Sequence, residues 1–132
     1  PNEIWSYGEK AYPILVKYLK LRYAMLPYIR NVMRETHEHG APVMRPLFYH
    51  YQADKRAWAV EDEYLFGRDV LVAPVLEAGA DKREVYLPEG DNWVEHATGK
   101  HYAGGQTVTA EAPIDIIPVF VREGAQVAGL NA

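Results

Sequence analysis

The chain contains no cysteine. That excludes disulfides, thiolate catalysis and cysteine-based zinc sites, and it fits a reducing compartment such as the cytoplasm. No apolar run approaches the ~20 residues of a membrane span, and no basic-then-apolar leader is visible. Positive charge is in short supply: 14 Lys and Arg face 18 Asp and Glu, for a net charge of −4. Nucleic acid is therefore disfavoured as a partner, because its affinity comes chiefly from neutralised phosphates. There is no P-loop, no Gly-x-Gly-x-x-Gly and no Gly-x-Ser-x-Gly, so phosphate cradles and nucleophile elbows are absent as sequence signals. Low-complexity segments and internal repeats are also missing.

What is present is ordinary globular composition, with 48% apolar and 24% charged residues in 132. The length fits one domain with a modest core. Three Trp and ten Tyr are many for this size; aromatic residues serve as sugar platforms, but most fill cores. The chain starts at Pro1 rather than Met and ends in the small-residue tail Ala128-Gly-Leu-Asn-Ala132, an expectation of a piece cut from something longer.

The first forty residues read as helix. Ile14, Leu15, Tyr18, Leu19, Met25, Leu26, Ile29, Val32 and Met33 recur at spacings of three and four, with Lys and Arg on much of the other side. Pro27 interrupts the pattern and predicts a kink, or two helices meeting near Leu26. Gly40 and Pro42 end the helix. Pro42 to Tyr51 reads as an extended strand that Pro46 keeps from being fully laddered. A short helix is predicted at Asp54–Trp58. The period then becomes two, with strands expected at Val70–Leu76, Glu84–Leu87, Asn92–Glu95, Gln106–Thr109 and Ile116–Val121, separated by Gly turns. The fold class expected is α+β: an N-terminal helical segment and one strand, followed by an antiparallel β-sandwich. A lone amphipathic helix cannot bury its own face, so the first part must pack on the β unit, on another copy or on further sequence.

Several side-chain groups invite a functional reading, and each has a plainer one. His37 and His39 are two apart on a helix and cannot share a metal there, and neither they nor His50 have further ligands at zinc-like spacing. Glu61-Asp62-Glu63 are adjacent carboxylates in a polar connection. A glycosidase instead needs two carboxyls facing each other ~5–9 Å apart across a sugar, so these three read as solvated or capping residues. Ser6 has no visible His and Asp partners. Arg45 is a charge inside an apolar strand, which demands a water-filled site, an ion pair or a snorkelling side chain. Trp5, Trp58 and Trp93 are sugar platforms or packing residues.

In order along the chain, Trp5-Ser-Tyr-Gly-Glu9, Leu21-Arg-Tyr-Ala-Met-Leu-Pro-Tyr28, His37-Glu-His-Gly-Ala-Pro-Val-Met-Arg-Pro-Leu-Phe48, Trp58-Ala-Val-Glu-Asp-Glu-Tyr-Leu-Phe-Gly67, Val70-Leu-Val-Ala-Pro-Val75, Val85-Tyr-Leu-Pro-Glu-Gly90, Trp93, Thr98-Gly99 and Ile117-Pro-Val-Phe-Val-Arg-Glu-Gly-Ala125 resemble glycoside hydrolase family 31, the α-glucosidase and α-xylosidase family. The resemblance implies that residues 1–53 are the end of a (β/α)8 catalytic barrel (helix plus closing strand) and residues 54–132 the proximal C-terminal β-sandwich. It implies a parent enzyme that cleaves terminal α-linked glucose or xylose with retention and without a cofactor, through an aspartate nucleophile and an aspartate acid/base. Neither aspartate motif occurs here, so no catalytic, cofactor-binding or metal-binding residue is assigned to this chain. Two other readings stand beside it. One is a non-catalytic carbohydrate-binding or structural β-sandwich module. The other is self-association of the fragment through the apolar stripe Leu15, Leu19, Leu26 and Ile29.

Overall fold

The computed structural model describes residues 2–132. After a 3-10 turn at Ile4–Tyr7 come α1 (Ala11–Ala24) and α2 (Leu26–His39). Pro27 produces a break between two helices. It occupies the first turn of α2, where its missing N–H has no intrahelical acceptor to lose. The backbone bonds Met25 N to Leu21 O and Ile29 N to Met25 O, both 2.9 Å, carry the chain across the junction. Gly40 closes α2 in the left-handed region (φ 70°), donating to Thr36 O at 3.0 Å.

The remainder is antiparallel. Strands β1 (Met44–Arg45), β2 (Tyr64–Phe66), β3 (Val70–Val72), β4 (Lys82–Leu87), β5 (Trp93–Glu95), β6 (His101–Tyr102), β7 (Gln106–Glu111) and β8 (Val119–Arg122) form two sheets. One is six-stranded in the order β1-β2-β3-β8-β5-β6; the other is the pair β4-β7. The fold is α+β, as the change of period predicts.

Several boundaries move, for identifiable reasons. The strand expected over Pro42 to Tyr51 shrinks to Met44–Arg45, because Pro46 has no N–H to donate and Leu47–Tyr49 curl into a 3-10 turn. Its partner is β2, antiparallel, with Met44 opposite Phe66 and Arg45 opposite Leu65. The segment is the edge strand of the six-stranded sheet among the described residues. The strand from Val70 ends at Val72, one ladder bond (Ala73 N to Pro118 O, 3.0 Å) before Pro74. The strand expected at Ile116–Val121 shifts to Val119–Arg122, behind Pro118. The Asp54–Trp58 helix is a 3-10 turn at Lys55–Ala59, capped by Asp54 accepting from Arg56 N.

Alternation sorts the side chains of the large sheet into two layers. Leu65, Leu71, Trp93 and Phe120 face Val85, Leu87 and Ala110 of the small sheet, forming the main core with Leu47, Tyr51 and Ala57. On the opposite face Val70 and Val121 pack with Tyr28 and Val32 of α2 and with Val127. The sheet is thus covered on both faces along β3 and β8, which is why Val70-Leu-Val72 and Val119-Phe-Val121 are unbroken apolar runs. Helix α1 is different: none of its residues is buried, although most are apolar.

Candidate functional site

Three groups of side chains were open to a functional reading, and the fold separates them. Arg45 is 1% exposed at the edge strand β1. Its Nε donates to Pro42 O (2.7 Å), Nη2 to Glu35 Oε2 (2.7 Å), and Nη1 lies 2.8 Å from His50 Nε2. The Tyr49 ring sits 5.4 Å from the guanidinium carbon. The demand for a partner is therefore met by an ion pair that ties α2 to β1. His50 is held well below its ordinary value, at about 4, by burial first and then by the Arg68 and Arg45 guanidinium charges. His37 and His39 lie at the exposed end of α2, remote in role from this pair.

The carboxylate run divides. Glu61 and Asp62 are exposed, as a solvated connection requires, but Glu63 is only 7% exposed. Its Oε1 accepts from Tyr86 N at 2.7 Å, on the side of β4 not taken by β7. Its Oε2 is buried with no hydrogen-bond partner among the described residues. Of the two expectations for this run, solvated or capping, Glu63 takes the second: β4 offers an unpaired edge N–H, and a carboxylate from the lead-in to β2 takes it. Asp54 does the same further along, accepting from Tyr86 Oη (2.5 Å) and Glu89 N (2.9 Å). Burial works against ionisation of Asp54, but its hydrogen bonds from Tyr86, Glu89 and Arg56 outweigh it and lower its pKa.

Of the three tryptophans, Trp93 is fully buried and donates to Pro88 O at 3.2 Å. Trp58 is 55% exposed, stacked on Phe48 with centroids 4.3 Å apart and planes 6° from parallel, and is oriented by donation to Gln52 O. Trp5 is exposed in the N-terminal 3-10 turn, where Ser6 Oγ donates to Glu3 Oε2 (3.5 Å). Sequence reasoning missed a polar seam joining the β2–β3 turn to β8. Arg122 donates to Asp69 Oδ1 through Nε (2.9 Å) and Nη2 (2.6 Å), while Asp69 N donates to Tyr28 Oη (3.1 Å) and Tyr28 Oη to Phe66 O (2.6 Å). Arg68, Tyr51 and Asp91 continue it. No local motif betrays this seam, because its directly bonded members are up to 53 residues apart.

Along α1, Ile4, Tyr7, Ala11, Ile14, Leu15 and Ile114 line an open apolar groove of about 460 Å³. Leu19 is exposed, whereas Leu15, Leu26 and Ile29 are half-buried. The stripe expected to be uncovered is therefore most open along α1.

An antiparallel two-sheet unit, clasped by a helix and carrying a second helix with no fully buried residue, is the structural class these features define. The glycosyl hydrolase family 31 C-terminal domain model matches residues 40–127, and the chain belongs to that family. The chain is 41% identical over 127 residues to "Alpha-glucosidase 2" of Bacillus thermoamyloliquefaciens, covering 96% of this chain and 16% of that protein. It is 40% identical over 134 residues to the "Sulfoquinovosidase" of Escherichia coli, covering 100% of this chain and 20% of that one. A GH31 α-xylosidase from a soil metagenome, solved complexed with xylose, superposes with a TM-score of 0.94 at 52% identity over 99% of this chain and 20% of its own. The chain thus spans between about a sixth and a fifth of the length of these relatives.

Proposed function

We propose that this chain is the C-terminal portion of a retaining α-glycosidase that hydrolyses terminal α-linked xylose or glucose, and that the chain itself carries none of the catalytic carboxylates. The observation that carries the reading is the superposition of nearly the whole chain on one fifth of an α-xylosidase. In the parent, one aspartate would form the glycosyl-enzyme and another would protonate the leaving oxygen and then activate water. The buried carboxylates Glu63 and Asp54 support the reading, since both are committed to structural hydrogen bonds, from Tyr86 and, for Asp54, Glu89 N as well.

The N-terminal part of the chain is proposed as the barrel side of the parent and the remainder as the neighbouring sandwich, a border that the sequence alone places between residues 53 and 54. The β1–β2 ladder and a C-terminal-domain match that begins at residue 40 favour drawing that border at Gly40, leaving the helical pair on the barrel side. Helix α1 supports this division, since an apolar helix with no buried residue needs a cover. The test is the reading frame upstream of Pro1. It should encode a (β/α)8 barrel, and the resulting polypeptide should release xylose from an α-xyloside or glucose from an α-glucoside with retention. A frame without a barrel, or turnover of sulfoquinovosides alone, would overturn the reading.

For the isolated chain, the uncovered face of α1 predicts self-association. Leu15→Glu with Leu19→Glu should convert a concentration-dependent oligomer to a monomer in light scattering, and a wild-type chain that stays monomeric at ~100 µM would contradict this. A second reading, a carbohydrate-binding module, is favoured by the bare face of Trp58. It predicts quenching of tryptophan fluorescence by xylo-oligosaccharide that is lost in Trp58→Ala.

A further inference from the structure

Glu63 is a buried carboxyl that neither the family reading nor any proposed catalytic role uses. Its surroundings are unequal on its two oxygens. Oε1 takes Tyr86 N–H from the free edge of β4 at 2.7 Å, and Oε2 has no partner among the described residues. The charges facing it are Arg83 on β4, whose Nη2 is 3.7 Å from Oε1, and Asp62 beside it on its own segment, which holds the same Nη2 more closely at 3.0 Å. Arg83 also donates through Nη1 to Asp62 O (3.0 Å) and Pro74 O (2.6 Å). The guanidinium is therefore mostly committed elsewhere, and the Glu63 carboxyl is left under-compensated. Asp62 and Arg83 line an open concavity of about 400 Å³, so solvent protons reach the cluster's outer edge.

We propose that Glu63 is a proton-operated clasp between the two sheets: protonated, it fits the buried position and holds β4 to the lead-in of β2; ionised, it places an uncompensated charge at that contact and loosens β4. An acid oxygen needs no buried counter-charge, whereas a carboxylate with an orphaned oxygen does. The clasp works in the neutral range, since burial first, opposed by the Tyr86 N–H and Arg83 and reinforced by Asp62, pushes the Glu63 carboxyl up to about 7 from an ordinary 4.5. The sign follows from proton linkage. Between pH 4.5 and 7 the folded state holds a proton the unfolded state has released. Stability is therefore fully present below the unfolded value and is lost as pH rises through the folded one, by up to ~tenfold in the unfolding equilibrium per pH unit. His50 works in the opposite direction: with its value lowered to about 4, it gains stability as pH rises toward 6.5. The two are separated by substitution.

The experiment is urea unfolding of the full chain and of Glu63→Gln from pH 5 to 8.5. Gln keeps the Tyr86 acceptor and removes the titration. The difference between the two curves should grow by ~10²-fold in the unfolding constant in favour of Glu63→Gln, levelling off above pH 7. His50→Gln should leave that difference unchanged. Parallel profiles for Glu63→Gln and wild type would overturn the proposal. If the variant does not fold, the carboxyl carbon of Glu63 in the wild-type chain is followed by NMR. A midpoint near 7 supports the clasp, and one at the ordinary value of 4.5 refutes it.

Discussion

Gly67→Ala is expected to lower stability by about 3 kcal/mol and to release α2 from the sheet. Gly67 sits at φ 66°, and a Cβ built there falls 2.6 Å from Tyr28 Oη and 2.6 Å from Val32 Cγ2. Two effects add: the left-handed conformation costs an L-residue ~1–2 kcal/mol, and overpacking a tight contact ~1–3 kcal/mol. Neither neighbour yields easily. Tyr28 is pinned by its bonds to Phe66 O and Asp69 N, and burial raises its phenol to about 12. Val32 is 1% exposed among Val70, Val121 and Val127. Gly40→Ala is the internal control, because Gly40 has a similar φ of 70° with nothing within 4 Å. It should lose only about 1 kcal/mol, the conformational part alone. Urea midpoints with unchanged slopes are the readout. Equal losses at the two glycines would mean that α2 is not held against the β2–β3 turn as described.

Arg45→Ala should cost about 3 kcal/mol. Removing one partner of a buried ion pair strands the others, typically at ~3–5 kcal/mol, and the lower end applies because Glu35 is 44% exposed and can rehydrate. Pro42 O and His50 lose a donor in the same step. Arg45→Lys should lose less, about 1–2 kcal/mol, since it restores charge without the three-pronged geometry. His50 supplies a second readout. Its burial remains and so does Arg68, but the Arg45 charge goes, so its NMR titration midpoint should move up from about 4 without reaching the ordinary value. A midpoint that does not move would show that the guanidinium is not where the ion pair puts it.

Elements with a strong period were legible in the chain. The three-and-four spacing placed the helical pair, and Pro27 located the break, because a missing N–H is a local fact that tertiary contacts do not erase. Val70-Leu-Val72 and Val119-Phe-Val121 read as strands because both faces of the large sheet are covered there. Tyr64–Phe66 and His101–Tyr102 escaped notice: runs of three and two residues carry too few positions to show a period. Met44–Arg45 was read too long because an apolar run cannot reveal which of its residues find a partner strand.

The side-chain clusters were less legible than the elements. Arg45 announced that it needed a partner, but the partner lies on the preceding helix, beyond the Gly40 turn. Glu63 looked like its exposed neighbours Glu61 and Asp62, since whether an edge N–H waits for it depends on β4, more than twenty residues away. Charge in a loop carries no label of burial. The ordered set of short motifs was specific where each single one was weak, and it pointed to the family that the C-terminal-domain match and the α-xylosidase superposition support.

The most direct test of the account is hydrolysis by the purified 132-residue chain. Incubated at high concentration with a chromogenic α-xyloside and α-glucoside, it should release the chromophore no faster than buffer, the result the proposal of catalytic carboxylates outside this chain predicts. Turnover above the buffer rate that is abolished by replacing any carboxylate of this chain would contradict that claim.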